Sequence, residues 1–266
     1  MITSAPAAAE IKTCCAALYE SDWARLLLGE SFHPGGLELT ERLGKLLDLR
    51  PGQRVLDVAS GTGASAVYLA EKFGCEVVGI DYSEELVGQA RRRAQEAGLA
   101  HLVRFELGDS EKLPFPDGSF DALICECSFC TFPDKHTAAG EFARVLRAGG
   151  RVGLSDVTRS GPLPPELSGL LAQIVCISEA LPSDRYAALL EEAGFRIDHI
   201  EPHPEVLETT VRNVRASLLG AELIFKVKKL EIPGVDFEEA RIVAASAART
   251  IEEGTLGYGL LMATLP

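Results

Sequence analysis

The stretch Arg54-Val-Leu-Asp-Val-Ala-Ser-Gly-Thr-Gly63 decides how this chain is read. A short branched-aliphatic run, bounded by Pro51-Gly52, passes into a glycine turn and then into a helical pattern over 65–73 that Gly74 ends. Such a run between turn signals reads as a buried strand. Working outward, the same unit recurs. Glu76-Val-Val-Gly-Ile80 is a second strand, and a charged helix over 84–97 closes at Gly98. Val103-Arg-Phe-Glu-Leu107 and Phe120-Asp-Ala-Leu-Ile-Cys125 are the third and fourth strands. A helix over 138–146 ends at Gly149-Gly150, and a fifth strand covers 151–157. Strict alternation of strand and helix predicts an α/β fold with a mostly parallel sheet and helices on both faces.

After the fifth strand the rhythm changes. The link Gly161-Pro-Leu-Pro-Pro165 leads to helices expected over 167–177 and 183–193, the second stopped by Gly194. A strand over 195–200 and helices over 206–219 and 236–253 follow. The apolar run 257–265 reads as a last strand, antiparallel and placed at the sheet edge. The expected organisation is a helical lid segment over 1–45, a core over 46–203 and 255–266, and a helical insertion or side lobe over 204–254.

Bulk properties narrow the partners. Of 266 residues, 47% are hydrophobic and 24% charged, enough for an ordinary core without metal or disulfide staples. A net charge of −13 repels phosphate backbones and anionic lipid, so neither nucleic acid nor membrane is expected as a partner. Lys226, Lys228 and Lys229 form a local basic cluster, read as a solvated face. No stretch suits a membrane span, and residues 1–11 lack a basic start and an apolar centre. Seven cysteines without an export signal point to free thiols in a reducing, cytoplasmic setting. Nothing in the sequence sets an oligomeric state.

Three acids stand at or just past three consecutive strand ends. Asp57 ends the first strand, Asp81 the second, and Asp109-Ser110 follow the third. Each alone reads as a cap or turn residue. Together, behind a glycine turn, they mark the carboxyl edge of the sheet, where ligands of such folds bind. Gly61 and Gly63 permit positive φ and let a ligand lie against the backbone. The turn holds too few glycines for a pyrophosphate cradle, and Asp57 suits a cationic amino group. Asp81 is placed to accept from ribose hydroxyls, and Asp109 and Ser110 to meet an adenine amino group.

From about 46 to 203 the chain resembles class I S-adenosylmethionine-dependent methyltransferases, whose sheet is Rossmann-like. The resemblance rests on Val55-Leu-Asp-Val-Ala-Ser-Gly-Thr-Gly63, Gly79-Ile-Asp-Tyr-Ser83, Gly108-Asp-Ser110 with Leu113-Pro-Phe115, and Phe120-Asp-Ala122. Glu141-Phe-Ala-Arg-Val-Leu-Arg-Ala-Gly-Gly150 and Leu189-Leu-Glu-Glu-Ala-Gly-Phe195 complete it. It implies S-adenosyl-L-methionine as cofactor, with Asp57, Ala59, Gly61, Thr62 and Gly63 at its methionine part. It further implies Asp81 and Tyr82 on the ribose, Asp109 and Ser110 on the adenine, and Glu126 closing the pocket. Ala59-Ser60 stands where many relatives have Gly-Cys.

The acceptor is expected to be a small molecule. Cys125, Cys127 and Cys130 cluster in Ile124-Cys-Glu-Cys-Ser-Phe-Cys-Thr-Phe132, with Cys125 and Cys127 expected on one strand face, and Cys176 lies in Val175-Cys-Ile-Ser-Glu-Ala-Leu181. Any one of them, Cys75 above all, reads as a small buried hydrophobe. The contexts of Cys127 and Cys176 are similar to the arsenite methyltransferase branch, which implies that they bind arsenite or another thiophilic centre. That branch has a further cysteine after the glycine turn, where this chain reads Ala64-Ser-Ala-Val67. Glutathione, Cys14, Cys15 or Cys130 can complete such a site. No resident metal is expected. The alternatives are a C- or O-methyltransferase of quinone or natural-product type, using His33 or Glu126 for proton transfer, and a cofactor-binding protein without turnover. His33 reads first as a helix-cap contact and otherwise as a base, Glu126 also as structural, and Tyr19, Trp23 and Phe32 as lid packing.

Overall fold

The computed structural model describes residues 32–169, 175–228 and 237–266, together with 12, 13, 16, 17, 19, 20 and 172. Of 221–228 and 237 it describes the backbone only. Cys14, Cys15, Trp23, Lys229 and the side chains of Lys226 and Lys228 therefore lie outside the described residues.

Helix α1 (Gly36–Leu46) precedes β1 (Arg54–Val58), α2 (Ala64–Phe73), β2 (Glu76–Asp81), α3 (Glu84–Glu96) and β3 (Val103–Leu107). Then come β4 (Phe120–Glu126), α4 (Lys135–Val145) and β5 (Leu146–Arg159). The second half holds α5 (Ser183–Glu192), β6 (Arg196–Pro202), α6 (Pro204–Lys228), α7 (Phe237–Glu252) and β7 (Leu256–Thr264). The strands form one sheet in the order β3-β2-β1-β4-β5-β7-β6, with β7 antiparallel to both its neighbours. The expected helix over 167–177 is only partly described, as a short 3-10 turn at Pro165–Leu167 and a helical Ala172.

Central strands carry near-continuous apolar runs because both faces are covered. In β4 Ala122, Leu123, Ile124 and Cys125 are all buried, as are Val55, Leu56 and Val58 in β1. Helix α3 starts where the Ser83 hydroxyl accepts the Leu86 N–H at 3.0 Å, and α4 where Asp134 accepts the Thr137 N–H. The expectation that β7 lies at the sheet edge is corrected: it sits inside the sheet, between β5 and β6. Leu256, Tyr258, Leu260, Leu261 and Ala263 are buried there, whereas β6, with Arg196, Asp198, His199 and Glu201, has no buried residue. A polar, alternating strand tolerates an open edge and an apolar one does not.

This order fixes where a site can form. The chain runs β1 to β2 to β3 towards one edge, then returns to place β4 on the other side of β1. The crevice at that reversal lies above the carboxyl ends of β1 and β4. Asp57 and Glu126 stand there.

Candidate active site

The crevice holds about 1070 Å³ of empty space, counting the part open to solvent. Asp57, Asp81 and Glu126 all line it. Asp57 is 2% exposed, and its Oδ2 has no hydrogen-bond partner among the described residues. Burial, with Glu126 and Asp81 close by, pushes its carboxyl well above the usual range. A buried unpaired oxygen is costly, so this one is suited to a donor or cation entering from the crevice. The Ser60 hydroxyl is orphaned in the same way.

Asp81 is held by the chain itself. Its Oδ2 accepts the Gly61 N–H at 2.8 Å and its Oδ1 the Ser83 N–H at 2.9 Å. Burial still raises its pKa against those bonds. Asp81 lines the crevice together with the half-exposed Tyr82.

The two glycines of the turn differ in role. Gly61 has φ +52°, and a Cβ placed on it would meet only the Phe32 ring, at 3.4 Å, on the open side. Gly63, at φ +75°, is not part of the crevice wall. A Cβ there would drive into Phe105 at 2.5 Å and Ala90 at 2.9 Å. The expectation that Gly63 offers bare backbone to a ligand is therefore corrected: it lets α2 pack closely on α3 and β3. Ala59 and Thr62 do line the crevice, Ala59 with φ +58°.

At the far end, Asp109 and Ser110 line the crevice. Asp109 does not stand open as the sequence suggested. Its oxygens take Lys12 Nζ at 2.8 and 2.9 Å, and Lys12 also reaches Glu111 at 2.7 Å. No signal in the sequence pointed to Lys12, 97 residues away. Tyr19 and Phe32 meet at 5.5 Å between ring centroids, and both line the opening.

Glu126 sits in a buried polar knot. It accepts from Ser65 Oγ at 2.6 Å and from Thr40 Oγ1 at 3.1 Å, with His33 Nε2 at 3.5 Å. Ser65 and Thr40 were missed by the sequence reading, although Ser65 lies two residues past the glycine turn. His33 is buried and does not cap α1; Gly35 occupies the N-cap, without a side-chain bond. The capping alternative is thereby corrected.

The thiols gather beside this knot. Cys127 leaves β4 with φ +50°, so it does not share a strand face with Cys125, as alternation suggested. Cys125 is buried and pairs with Ser128 Oγ at 3.1 Å, while Cys127 lines the crevice. Cys176, at φ +66°, donates from Sγ to the Cys127 carbonyl at 3.0 Å. Ligand atoms of Cys127, Cys176 and Asp156 lie within 4.8 Å of one another. The backbone N–H of Cys130, a fully buried residue, donates to Asp156 Oδ2 at 2.9 Å. The hydrogen bond to Cys176, then burial, raises the Cys127 pKa, and burial raises that of Cys130. For Cys176 the bond with Cys127 lowers the pKa, but Cys130 and burial outweigh it. Burial pushes Asp156 up to about 6. Cys75 is packed in the core.

Comparison with known proteins decides the family. A family described as "Methyltransferase domain" matches residues 56–154. The 27-O-demethylrifamycin SV methyltransferase of Amycolatopsis mediterranei is 33% identical over 236 residues, covering 86% of this chain and 83% of that protein. This chain is a class I S-adenosylmethionine-dependent methyltransferase. S-adenosyl-L-methionine is its cofactor, and its reaction is methyl transfer to a small-molecule acceptor. An arsenite methyltransferase of Halobacterium salinarum is 34% identical over 163 residues, 60% of this chain but only 41% of that protein. In fold, the methyltransferase matches a crystal structure described as a putative sarcosine dimethylglycine methyltransferase from Galdieria sulphuraria. The TM-score is 0.78 at 19% identity, over 92% of this chain and 97% of that one. The orphaned Asp57 oxygen and the bare Gly61 backbone fit such a cofactor. No described helix is long and apolar enough to cross a membrane.

Proposed function

We propose that this methyltransferase acts on a small thiophilic acceptor, of which arsenite is the type, bound by Cys127 and Cys176. The observation that carries this reading is the approach of the two sulfurs to within 4.8 Å, one of them in the crevice wall. Thiol sulfur is the ligand that a soft centre prefers. S-adenosylmethionine, when bound, supplies an electrophilic methyl group on a sulfonium. Asp57 would hold its ammonium with the orphaned oxygen, Asp81 and Tyr82 its ribose, and Ser110 and Asp109 its adenine, with Lys12 sharing Asp109. Ala59, Gly61 and Thr62 shape the backbone floor. Glu126, held by Ser65 and Thr40, would close the methionine end of the pocket. A soft centre that attacks through its own lone pair needs no base from the protein, so orientation and a dry cavity are what this chain contributes.

A second reading is favoured by the rifamycin relative, matched over 86% of this chain and 83% of that protein. In it a small organic hydroxyl or carbon acceptor enters the same mouth, His33 and Glu126 receive the proton, and the cysteines only pack. The two are told apart by Cys127→Ser and Cys176→Ser. Under the soft-acceptor reading each loses arsenite binding in fluorescence or calorimetric titration, while cofactor affinity stays within about threefold. Normal arsenite binding by both variants transfers the argument to the organic acceptor.

A further inference from the structure

Two residues from the start of the chain reach the acids assigned to the nucleoside. Lys12, Ala16 and Tyr19 are helical, and the Glu20 N–H donates to the Ala16 carbonyl at 2.9 Å. Their spacing sets all four on one helical face, and Lys12, Ala16 and Tyr19 line the crevice. Lys12 decides which oxygen of Asp109 stays open. Oδ1 accepts both Lys12 Nζ at 2.9 Å and the Glu111 N–H at 3.0 Å, which fills its two lone pairs. Oδ2 accepts Lys12 at 2.8 Å and is the less committed of the two among the described residues. The Lys12 side chain is only 14% exposed. Burial lowers its pKa, but the bonds to Asp109 and Glu111 outweigh that and raise it, so the ammonium stays charged. Glu20 acts on Asp81 through one intermediate. The Ser83 hydroxyl donates to Glu20 Oε1 at 2.6 Å, which leaves its oxygen to accept the Leu86 N–H at the start of α3. The Ser83 N–H then donates to Asp81 Oδ1 at 2.9 Å.

We propose that Lys12 and Glu20 are positioning residues for the nucleoside half of the cofactor. Lys12 holds Asp109 so that Oδ2 is left for the adenine amino group, and Glu20, through Ser83, holds Asp81 for the ribose. The inference rests on the cofactor placement given above and is independent of the acceptor. Neither residue touches the methionine half, so their loss weakens whatever carries adenine and ribose, with or without the amino-acid part. Such a loss shows mainly as faster release.

The test uses the full chain and two probes: S-adenosylhomocysteine, and methylthioadenosine, which carries adenine and ribose without the amino-acid part. Calorimetry and stopped-flow displacement compare the wild type with Lys12→Met, Lys12→Arg, Glu20→Ala and Asp57→Asn. Lys12→Met should bind both probes at least about fivefold more weakly, and Glu20→Ala about two- to fivefold, with most of each change in the release rate. Lys12→Arg keeps a cation for Asp109 and should recover to within about twofold of wild type, which a general loosening of the fold would not do. Asp57→Asn should weaken S-adenosylhomocysteine alone. Unchanged methylthioadenosine binding in Lys12→Met, or no recovery in Lys12→Arg, overturns the role of Lys12, and unchanged binding in Glu20→Ala overturns that of Glu20. Asp109→Asn shows what else falls. If it too binds methylthioadenosine normally, the adenine placement fails together with this inference; if it binds weakly while Lys12→Met does not, the inference fails alone.

Discussion

Replacing each glycine of the turn by alanine separates two roles that look alike in sequence. At Gly63 the new methyl group would stand 2.5 Å from Phe105 Cζ and 2.9 Å from Ala90 Cβ, at φ +75°. A left-handed L-residue costs roughly 1–2 kcal/mol, and overpacking a closed helix–sheet contact roughly 1–3 more, so about 2–5 kcal/mol in all. For a chain of this size that lowers Tm by roughly 5–15 °C. At Gly61 the backbone penalty is similar, roughly 1–2 kcal/mol, because φ is also positive, but the methyl group meets only Phe32 at an ordinary 3.4 Å. Gly61→Ala should therefore melt within about 5 °C of wild type, yet lose S-adenosylmethionine affinity by about tenfold or more, since its side chain enters the crevice. Thermal melts and calorimetric binding on the two variants read both quantities. A Gly63→Ala protein melting within about 2 °C of wild type would refute the packing argument. Unchanged cofactor affinity in Gly61→Ala would refute the placement of the cofactor on that backbone.

Further outcomes follow from the carboxylates. Asp81→Ala should weaken S-adenosylmethionine binding by about 1–3 kcal/mol through loss of a charged acceptor, and calorimetry showing full affinity in the folded variant removes Asp81 from the ribose. Asp57 has a raised pKa when unpaired, and a bound ammonium favours its charged form. Cofactor affinity should then fall as pH drops through a range above that of ordinary carboxylates, and Asp57→Asn should be weaker and lack that limb. A pH-independent wild type contradicts the pairing. Asp156, raised in the fold to about 6, binds more protons folded than unfolded between about pH 4 and 6, so stability declines as pH rises through that window. Denaturant titrations of Asp156→Asn should show a flatter profile there, and an equally steep one argues against the assignment.

The fold was legible because its signals are local. The strand–glycine–helix unit at 54–73 and its repetition through 157 follow from apolar runs covered on both faces. The antiparallel direction of β7 was legible too, but its place inside the sheet was not, since lateral strand order depends on the polar pattern of its partner β6. Within the site, the strand-end acids could be read because each follows directly from a strand. The knot that fixes Glu126 could not: Thr40 comes from α1 and Ser65 from α2, and only their packing brings the hydroxyls together. Lys12 on Asp109 is a long-range ion pair of the same kind. Gly63 was misjudged because a positive φ says that glycine is needed without saying which neighbour needs it. Alternation carried Cys127 onto the face of Cys125, and its left-handed backbone at the strand exit breaks that rule.

Methyl transfer from labelled S-adenosylmethionine, offered arsenite, quinols and small thiols in parallel, tests the central claim most directly. Label should pass to arsenite in the wild type and be lost in Cys127→Ser and in Cys176→Ser. Label appearing on an organic acceptor instead, undiminished in either serine variant, would contradict it.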